Sequence, residues 1–349
     1  MAVVTNFWKE SAGGGIKTFL VGFTDELQAE GIPHFVLFRE GRDPKNVALP
    51  RNKLLFMAGS LLELLRSKPK VTISLSYWFC LIPGLMYRKV SGTRLIGSVH
   101  TVADDPSFLN RRMMRFLWGR CDVVAFTTVY MEAETKKIYG ATFRKSIITY
   151  AGVNPPSIPE EEVKVFRTRY GLTDGDIMLL GHGLLNHRLK YEGVKLLMSS
   201  LKLLLERHPR IVLVLTGEGR YAEELKSYAR QEGIASHVVF TGNLQNPFLA
   251  VRACDIFTHI TLNEALSMAV LEAMSQGKPV VASAVGGIPE IINESNGRLV
   301  SNEPEEIAES IERFISDRED RERKGRKAEL DARRYTWERT VRAYQDNFR

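Results

Sequence analysis

Two carboxylates eight residues apart, Glu264 and Glu272, belong to the run NEALSMAVLEAMSQGKPVVAS, residues 263–283. Everything between them is apolar or small. A buried carboxylate is costly unless a partner pairs with it or hydrogen-bonds to it. Asn263 or Ser267 can cap a helix running to about Gln276, and Gly277 and Pro279 end that helix before the strand VVAS. At 100° per residue the acids fall about 80° and roughly 12 Å apart along an axis, so they are not a general acid/base pair on one atom. Glu264 is expected in the loop before the helix and Glu272 about two turns inside it. Between them lie the free N–H groups of the first turn, which with the helix dipole favour an anion. One extended ligand satisfies all three features: a hydroxylated group at each acid, where a carboxylate accepts two hydrogen bonds, and a phosphate at the helix start. A nucleotide sugar has that order of parts. On this reading the two acids are the ends of a ruler for one ligand rather than groups buried in protein.

Further candidates stand where strands give way to helices. The loop SAGGGIK, 11–17, follows a first strand and opens a helix, so its glycines let backbone approach an anion. Its spacing matches neither the dinucleotide fingerprint nor the P-loop. His100 falls just past the strand RLIGSV. Arg188 and Lys190 fall in GHGLLNHRLKYEG after another strand, where two cations can neutralise a diphosphate. Gly217, in TGEG, is a tight turn after a strand. Asp104 and Asp105, and Asp174 with Asp176, read as loop acids, because no matching cluster of ligands accompanies them.

These candidates are positioned by alternating strands and helices. After MAVVTNFW come the strand candidates HFVLF, VTISLSY, RLIGSVH, DVVAFTT and SIITY, then IMLLGHG, RIVLVLTG, HVVFTG, DIFTHI, PVVASA and GRLV. This is the pattern of parallel sheets covered on both faces. The Pro-rich stretch 151–162 divides the chain into two doubly wound α/β domains, 1–154 and 155–332, with a final helix over 333–349. Ligands in such folds bind at the carboxyl ends of strands, and facing domains leave a cleft. SDREDRERKGRKAELDARR alternates in sign and reads as an exposed helix. Of the 349 residues, 44% are hydrophobic and 26% charged, as in an ordinary soluble globular chain. No apolar run approaches the ~20 residues of a membrane helix, and the N-terminus lacks the pattern of a secretory signal. Cys80, Cys121 and Cys254 form no metal spacing and read as reduced core thiols of a cytoplasmic protein. The net charge of +7 is uneven: residues 1–150 hold 21 Lys/Arg against 12 Asp/Glu. That half suits an anionic surface, and NRRMMRFLWGR mixes basic and large apolar residues as an interfacial helix does. No nucleic-acid motif or aromatic stacking stripe accompanies it.

The chain resembles the GT-B glycosyltransferases, specifically glycosyltransferase family 4, retaining enzymes that use nucleotide sugars. The resemblance is carried by the Glu-seven-residues-Glu element with VGGIPEII after it, by VLTGEG, VVFTGNL and ACDIFTHI, and by the early GGGI loop and SVH. It covers nearly the whole chain and is strongest over 211–300. It implies two Rossmann-like domains, acceptor side first and donor side second, facing each other across a cleft. It also implies a C-terminal helix, here YTWERTVRAYQDNF with Trp337 as anchor, that crosses back to the first domain. It places Glu264 near the donor sugar hydroxyls, Glu272 on the ribose and His100 beside the donor sugar. Gly14 and Gly15 face the diphosphate or the acceptor. The backbone of Leu266, Ser267, Met268 and Ala269 meets phosphate, with Gly287 nearby, and backbone around Gly242, Asn243 and Leu244, beside the Gly217 turn, meets the base. One position departs: His182 or Gly183 stands where the family has arginine, so Arg188 and Lys190 take the cation role. The implied reaction moves a hexose from a UDP- or GDP-sugar to an acceptor hydroxyl, with neither metal nor cofactor. The acceptor is sugar-like, lipid-linked or anionic. The alternatives are a nucleotide-sugar epimerase or hydrolase of the same architecture, and a non-catalytic sugar-nucleotide-binding protein.

Overall fold

The computed structural model of the chain describes residues 1–11, 14–101, 106–182 and 186–348. It divides into two compact units: 1–152 with 336–349, and 153–335.

In the first unit the order is Ala2–Phe7 (β1), Gly14–Ala29 (α1), Phe35–Glu40 (β2), Val47–Ala48 (β3), Lys53–Ser67 (α2), Val71–Leu75 (β4), Trp78–Ser91 (α3), Arg94–Val99 (β5), Phe108–Trp118 (α4), Val123–Phe126 (β6), Val129–Tyr139 (α5) and Ser146–Ile148 (β7). The strands form one parallel sheet in the order β3-β2-β1-β4-β5-β6-β7. β1 and β4 are entirely or almost entirely buried, as expected of strands covered on both faces. The two-residue β3 extends the sheet beyond the sequence expectation, since a pair of residues carries no periodic signal.

The second unit contains Glu160–Arg169 (α6), Ile177–His182 (β8), Arg188–Leu205 (α7), Ile211–Thr216 (β9), Ala222–Gln231 (α8), Val238–Gly242 (β10), Pro247–Ala253 (α9), Ile256–His259 (β11), Met268–Ser275 (α10), Val280–Ser283 (β12), Gly297–Val300 (β13), Pro304–Ser316 (α11) and Arg318–Ala332 (α12). Its parallel sheet runs β10-β9-β8-β11-β12-β13. The chain leaves β8 in one direction and returns to β11 on the other side. The carboxyl ends of β8 and β11 therefore form the switch point at which doubly wound sheets bind ligands. Leu197, Leu201, Leu213, Ile307, Ile311 and Phe314 are among the residues that close its core.

The charged run 317–334 is helical but not simply exposed, which corrects the sequence expectation. Gly325, Ala328 and Ala332 put small side chains on one face of α12, and α12 packs on α10. A Cβ at Gly325 would stand 2.3 Å from the Gly277 carbonyl oxygen. The buried Lys324 ammonium is satisfied by the carbonyls of Glu294, at 2.6 Å, and Gly297, at 3.1 Å. Asp331 accepts from Asn296 at 3.0 Å. Alternating charge thus hid a stripe of small residues.

The last helix, Trp337–Gln345 (α13), packs on α1 in the first unit. Trp337 is buried against Phe19, with ring centroids 5.5 Å apart. Gly22 and Gly152 make room for it: a Cβ at either would stand 2.2 Å from an atom of Trp337. The three cysteines are buried free thiols, and burial pushes each upward. No described helix is long and apolar enough to cross a membrane.

Truncating a buried tryptophan costs about 3–5 kcal/mol. Trp337→Ala is therefore expected to lower the urea midpoint of the first unit. Fluorescence or exchange probes placed in each unit measure it, and the second unit's midpoint stays unchanged.

Candidate functional site

The switch point of the second unit gathers the strongest of the sequence candidates. β11 ends at His259, the chain turns through 260–267, and Ser267 starts α10 by accepting the Val270 N–H at 3.3 Å. Of the two candidate caps it is Ser267, the helix ends beside Gln276 as expected, and Glu272 lies one turn rather than two inside it. The N–H groups of Met268 and Ala269 have no acceptor among the described residues, so they remain available to an anion.

Glu264 lies in the loop before α10, as expected, but the protein encloses it. Its side chain is only 14% exposed, with Lys190 Nζ 3.4 Å and His259 Nε2 3.1 Å from Oε2. Burial alone would raise its pKa. The Lys190 charge, together with His259, outweighs that and holds the carboxyl down at about 2. An ionised carboxylate only accepts, so His259 presents Nε2–H to it; Ser267 Oγ lies 3.2 Å from the same nitrogen. The partner that a buried acid demands therefore comes from within the chain, contrary to the expectation that Glu264 is not buried in protein.

Two glycines let the backbone deliver these groups. Gly193, on α7, faces the Ile260 carbonyl oxygen, and a Cβ there would lie 2.1 Å from it. This approach brings the first turn of α7, and Lys190 with it, over the end of β11. Gly286 has φ +60° and faces the Glu264 carbonyl oxygen, 1.7 Å from where its Cβ would stand. Gly287 N–H then donates to that oxygen at 3.2 Å.

Glu272 is the opposite case. It is half-buried on α10, no described residue donates to or pairs with its carboxylate, and burial raises its pKa to about 7. The structure also separates the two cations. Lys190 reaches Glu264, whereas Arg188 is 78% exposed and lies 3.7 Å from Glu192 on its own helix. Gly217 and Gly242 join the ends of β9 and β10, with Gly217 N–H donating to the Gly242 carbonyl at 2.9 Å. Asn243 donates to Glu218 at 2.9 Å, and Leu244 follows, half-buried. Leu266 and Ser267 are buried beside the α10 start.

The remaining candidates lie in the first unit. Gly14 and Gly15 form the first turn of α1. His100 follows β5, 6% exposed, edge-on to Phe19 at 4.4 Å. Its Nε2 lies 2.8 Å from Ser98 Oγ, which is 2.6 Å from the Tyr344 hydroxyl on α13. Burial lowers its pKa to about 3. His100 is therefore neutral at physiological pH, suited to orienting a hydroxyl and not to carrying a proton. Asp176 is occupied by Thr173 and Arg210, in keeping with a loop acid. Asp104, Asp105 and Gly183 lie outside the described residues, as does the side chain of His182.

Residues 183–331, which hold Lys190, Glu264 and Glu272, match the family described as glycosyl transferases group 1. Over that segment the chain is similar to the group 1 glycosyl transferases. It is 30% identical over 256 residues to an uncharacterized glycosyltransferase of Methanocaldococcus jannaschii, covering 70% of this chain and 64% of that one. It is 26% identical over 293 residues to a D-inositol 3-phosphate glycosyltransferase of Paenarthrobacter aurescens, covering 78% of this chain and 71% of that one. Among solved structures, Anabaena HepE in complex with UDP and glucose superposes with a TM-score of 0.79 at 18% identity, over 99% of this chain and 98% of that one. That likeness establishes the GT-B fold of this chain.

His259, inside the apolar strand DIFTHI, carries no chemical signal in the sequence, and only the fold shows its ring turned toward Glu264.

The raised pKa of Glu272 has a signed consequence. Below about pH 4 the carboxyl is protonated in both folded and unfolded chains. Between there and pH 7 the unfolded chain loses the proton first, so stability falls as pH rises. Glu272→Gln is therefore expected to match the parent in thermal midpoint at pH 4 and to exceed it at pH 8, measured without ligand.

Proposed function

We propose that this protein is a glycosyltransferase that moves a hexose from a nucleotide-diphosphate sugar, a UDP- or GDP-sugar, to an acceptor hydroxyl with retention of configuration, in the manner of glycosyltransferase family 4. The observation that carries the reading is the arrangement around α10. A paired, ionised Glu264 precedes the helix, unaccepted N–H groups open it, and an unpartnered Glu272 follows one turn on. Those features suit sugar hydroxyls, diphosphate and ribose in turn. The UDP and glucose of the Anabaena neighbour support a donor of this class.

In this reading Glu264 accepts hydrogen bonds from the donor sugar, and Lys190 fixes it there while adding positive charge. Glu272 accepts both ribose hydroxyls. The N–H groups of Met268 and Ala269 and the exposed Arg188 meet the diphosphate, whose negative charge grows as it departs. The acceptor oxygen bonds to the anomeric carbon on the face that the diphosphate leaves. The carbon–oxygen bond to phosphate breaks, and the acceptor proton passes to the departing phosphate oxygen. The protein supplies no nucleophile, and this chemistry calls for no metal. The backbone from Gly242 to Leu244, beside Gly217, meets the base. Gly14, Gly15 and His100, in the first unit, serve the acceptor or the transferred sugar. The basic charge of residues 1–150 and the D-inositol 3-phosphate relative support an anionic or lipid-linked acceptor.

A panel of UDP-, GDP- and ADP-sugars should contain one that raises the thermal midpoint, because a ligand held by the native state stabilises it. With that donor, Glu264→Gln and Glu272→Ala are each expected to lower transfer at least a hundredfold, about 3 kcal/mol of barrier, with folding intact. Normal rates in both variants overturn the assignment. Donor consumption with inversion at the anomeric carbon, read by proton NMR, overturns the retaining reading.

A further inference from the structure

The first unit carries an outer face that the transfer chemistry does not use. α2, α3, α4 and α5 each follow a strand and lead to the next strand on one side of β1, so right-handed crossovers put all four on the same face of the sheet. α2 packs on α3, α3 on α4 and α4 on α5, which makes them one continuous layer. Of 13 exposed large hydrophobic residues described in the chain, ten lie on these helices.

They are ordered along the helices rather than scattered. Leu54, Leu55, Leu62 and Leu65 lie within about 100° of one another around α2. Phe108 and Leu109, 73% and 75% exposed, share one face of α4 with Phe116. Met86 and Val90 stand exposed on α3 between those two helices. A surface helix buries such a stripe against something, yet the other face of α2, with Phe56, Ser60 and Leu64, already meets the core.

The polar residues around these stripes have one sign. Arg51, Lys53, Arg66, Lys68 and Lys70 flank the α2 leucines, and the single acid of that segment, Glu63, is engaged by Arg66 at 3.0 Å. Residues 106–120 contain Arg111, Arg112, Arg115 and Arg120 and no acid. Arg120 lies 3.3 Å over the Phe116 ring and Arg112 5.6 Å over Phe108, so cation and apolar surface are presented together. A second copy of this chain would set like charges against each other across a two-fold contact. A nucleic acid would find no stacking ring along the exposed α2 stripe, which is entirely leucine. Apolar stripes rimmed by lysine and arginine fit the boundary between acyl chains and acidic headgroups.

We propose that the outer face of α2, α3 and α4 docks on an anionic lipid bilayer, the leucines and phenylalanines entering the acyl boundary and the basic rim meeting lipid phosphates. The inference stands on this surface alone and not on the transfer reading.

Vesicle flotation of the full chain tests it, using phosphatidylcholine with and without phosphatidylglycerol. The expected result is flotation with the acidic vesicles only, weakened at least tenfold at about 1 M salt, where screening shortens to about 3 Å. Leu54→Ser/Leu62→Ser/Leu65→Ser is expected to abolish flotation without moving the thermal midpoint. Arg51→Glu/Lys53→Glu is expected to weaken it by more than tenfold, at roughly fivefold per basic residue removed. The proposal is overturned by absence of flotation, by equal flotation on neutral vesicles, or by leucine variants that float normally. Sedimentation showing a dimer that the leucine substitutions dissolve, without vesicle binding, also overturns it in favour of self-association. Nucleotide-sugar binding measured on the same samples separates this outcome from any failure of the transfer reading.

Discussion

A carboxylate enclosed by protein stays ionised only with a cation or hydrogen-bond donor beside it, and that constraint organises the second unit. Glu264 is held ionised by Lys190 and by the Nε2–H of His259. These three residues come from a helix after β8, the end of β11 and the loop beyond it, so their meeting depends on the strand order that places β8 beside β11. It also depends on two absent side chains. Gly193 lets α7 touch the backbone at Ile260, and Gly286 lets the chain after β12 touch Glu264. An alanine at either position would have to open the packing that holds the charge pair.

The two acids of the 263–283 run are therefore unlike. Glu264 is stabilised in advance by its own protein, whereas Glu272 is left in a half-buried position with no partner. An uncompensated carboxyl lowers stability, and folded chains keep such groups where a ligand supplies what the protein withholds. In a site for a nucleotide sugar this asymmetry separates two jobs: a rigid acceptor at the sugar and a receptive one at the ribose. The cations divide in the same way, Lys190 directed inward and Arg188 outward.

Much of this was legible in the residues. Apolar runs marked the strands of the second sheet, most clearly the inner β9, β11 and β12, because strands buried on both faces carry no polar alternation to blur them. The spacing of Glu264 and Glu272 argued against joint work on one atom, and the structure places the first before α10 and the second within it. Other features were hidden for physical reasons. Val47–Ala48 is too short to show a period. The 317–334 helix looked exposed because charge masks a stripe of Gly and Ala. His259 gave no signal, since a histidine inside an apolar strand acquires meaning only when the fold turns its ring toward a carboxylate. The depth of Glu264 depended on Lys190, 74 residues earlier in the chain, which no local pattern reveals.

If Lys190 and Glu264 act on the donor as one unit, a double-mutant cycle on donor dissociation will show it. Lys190→Met, Glu264→Gln and the double variant would be titrated calorimetrically with the nucleotide sugar that stabilises the parent. Strong non-additivity is expected, with the double variant little weaker than either single one and a coupling of about 1–3 kcal/mol. Losses that simply add would contradict it, since the two side chains would then meet the ligand independently, or not at all.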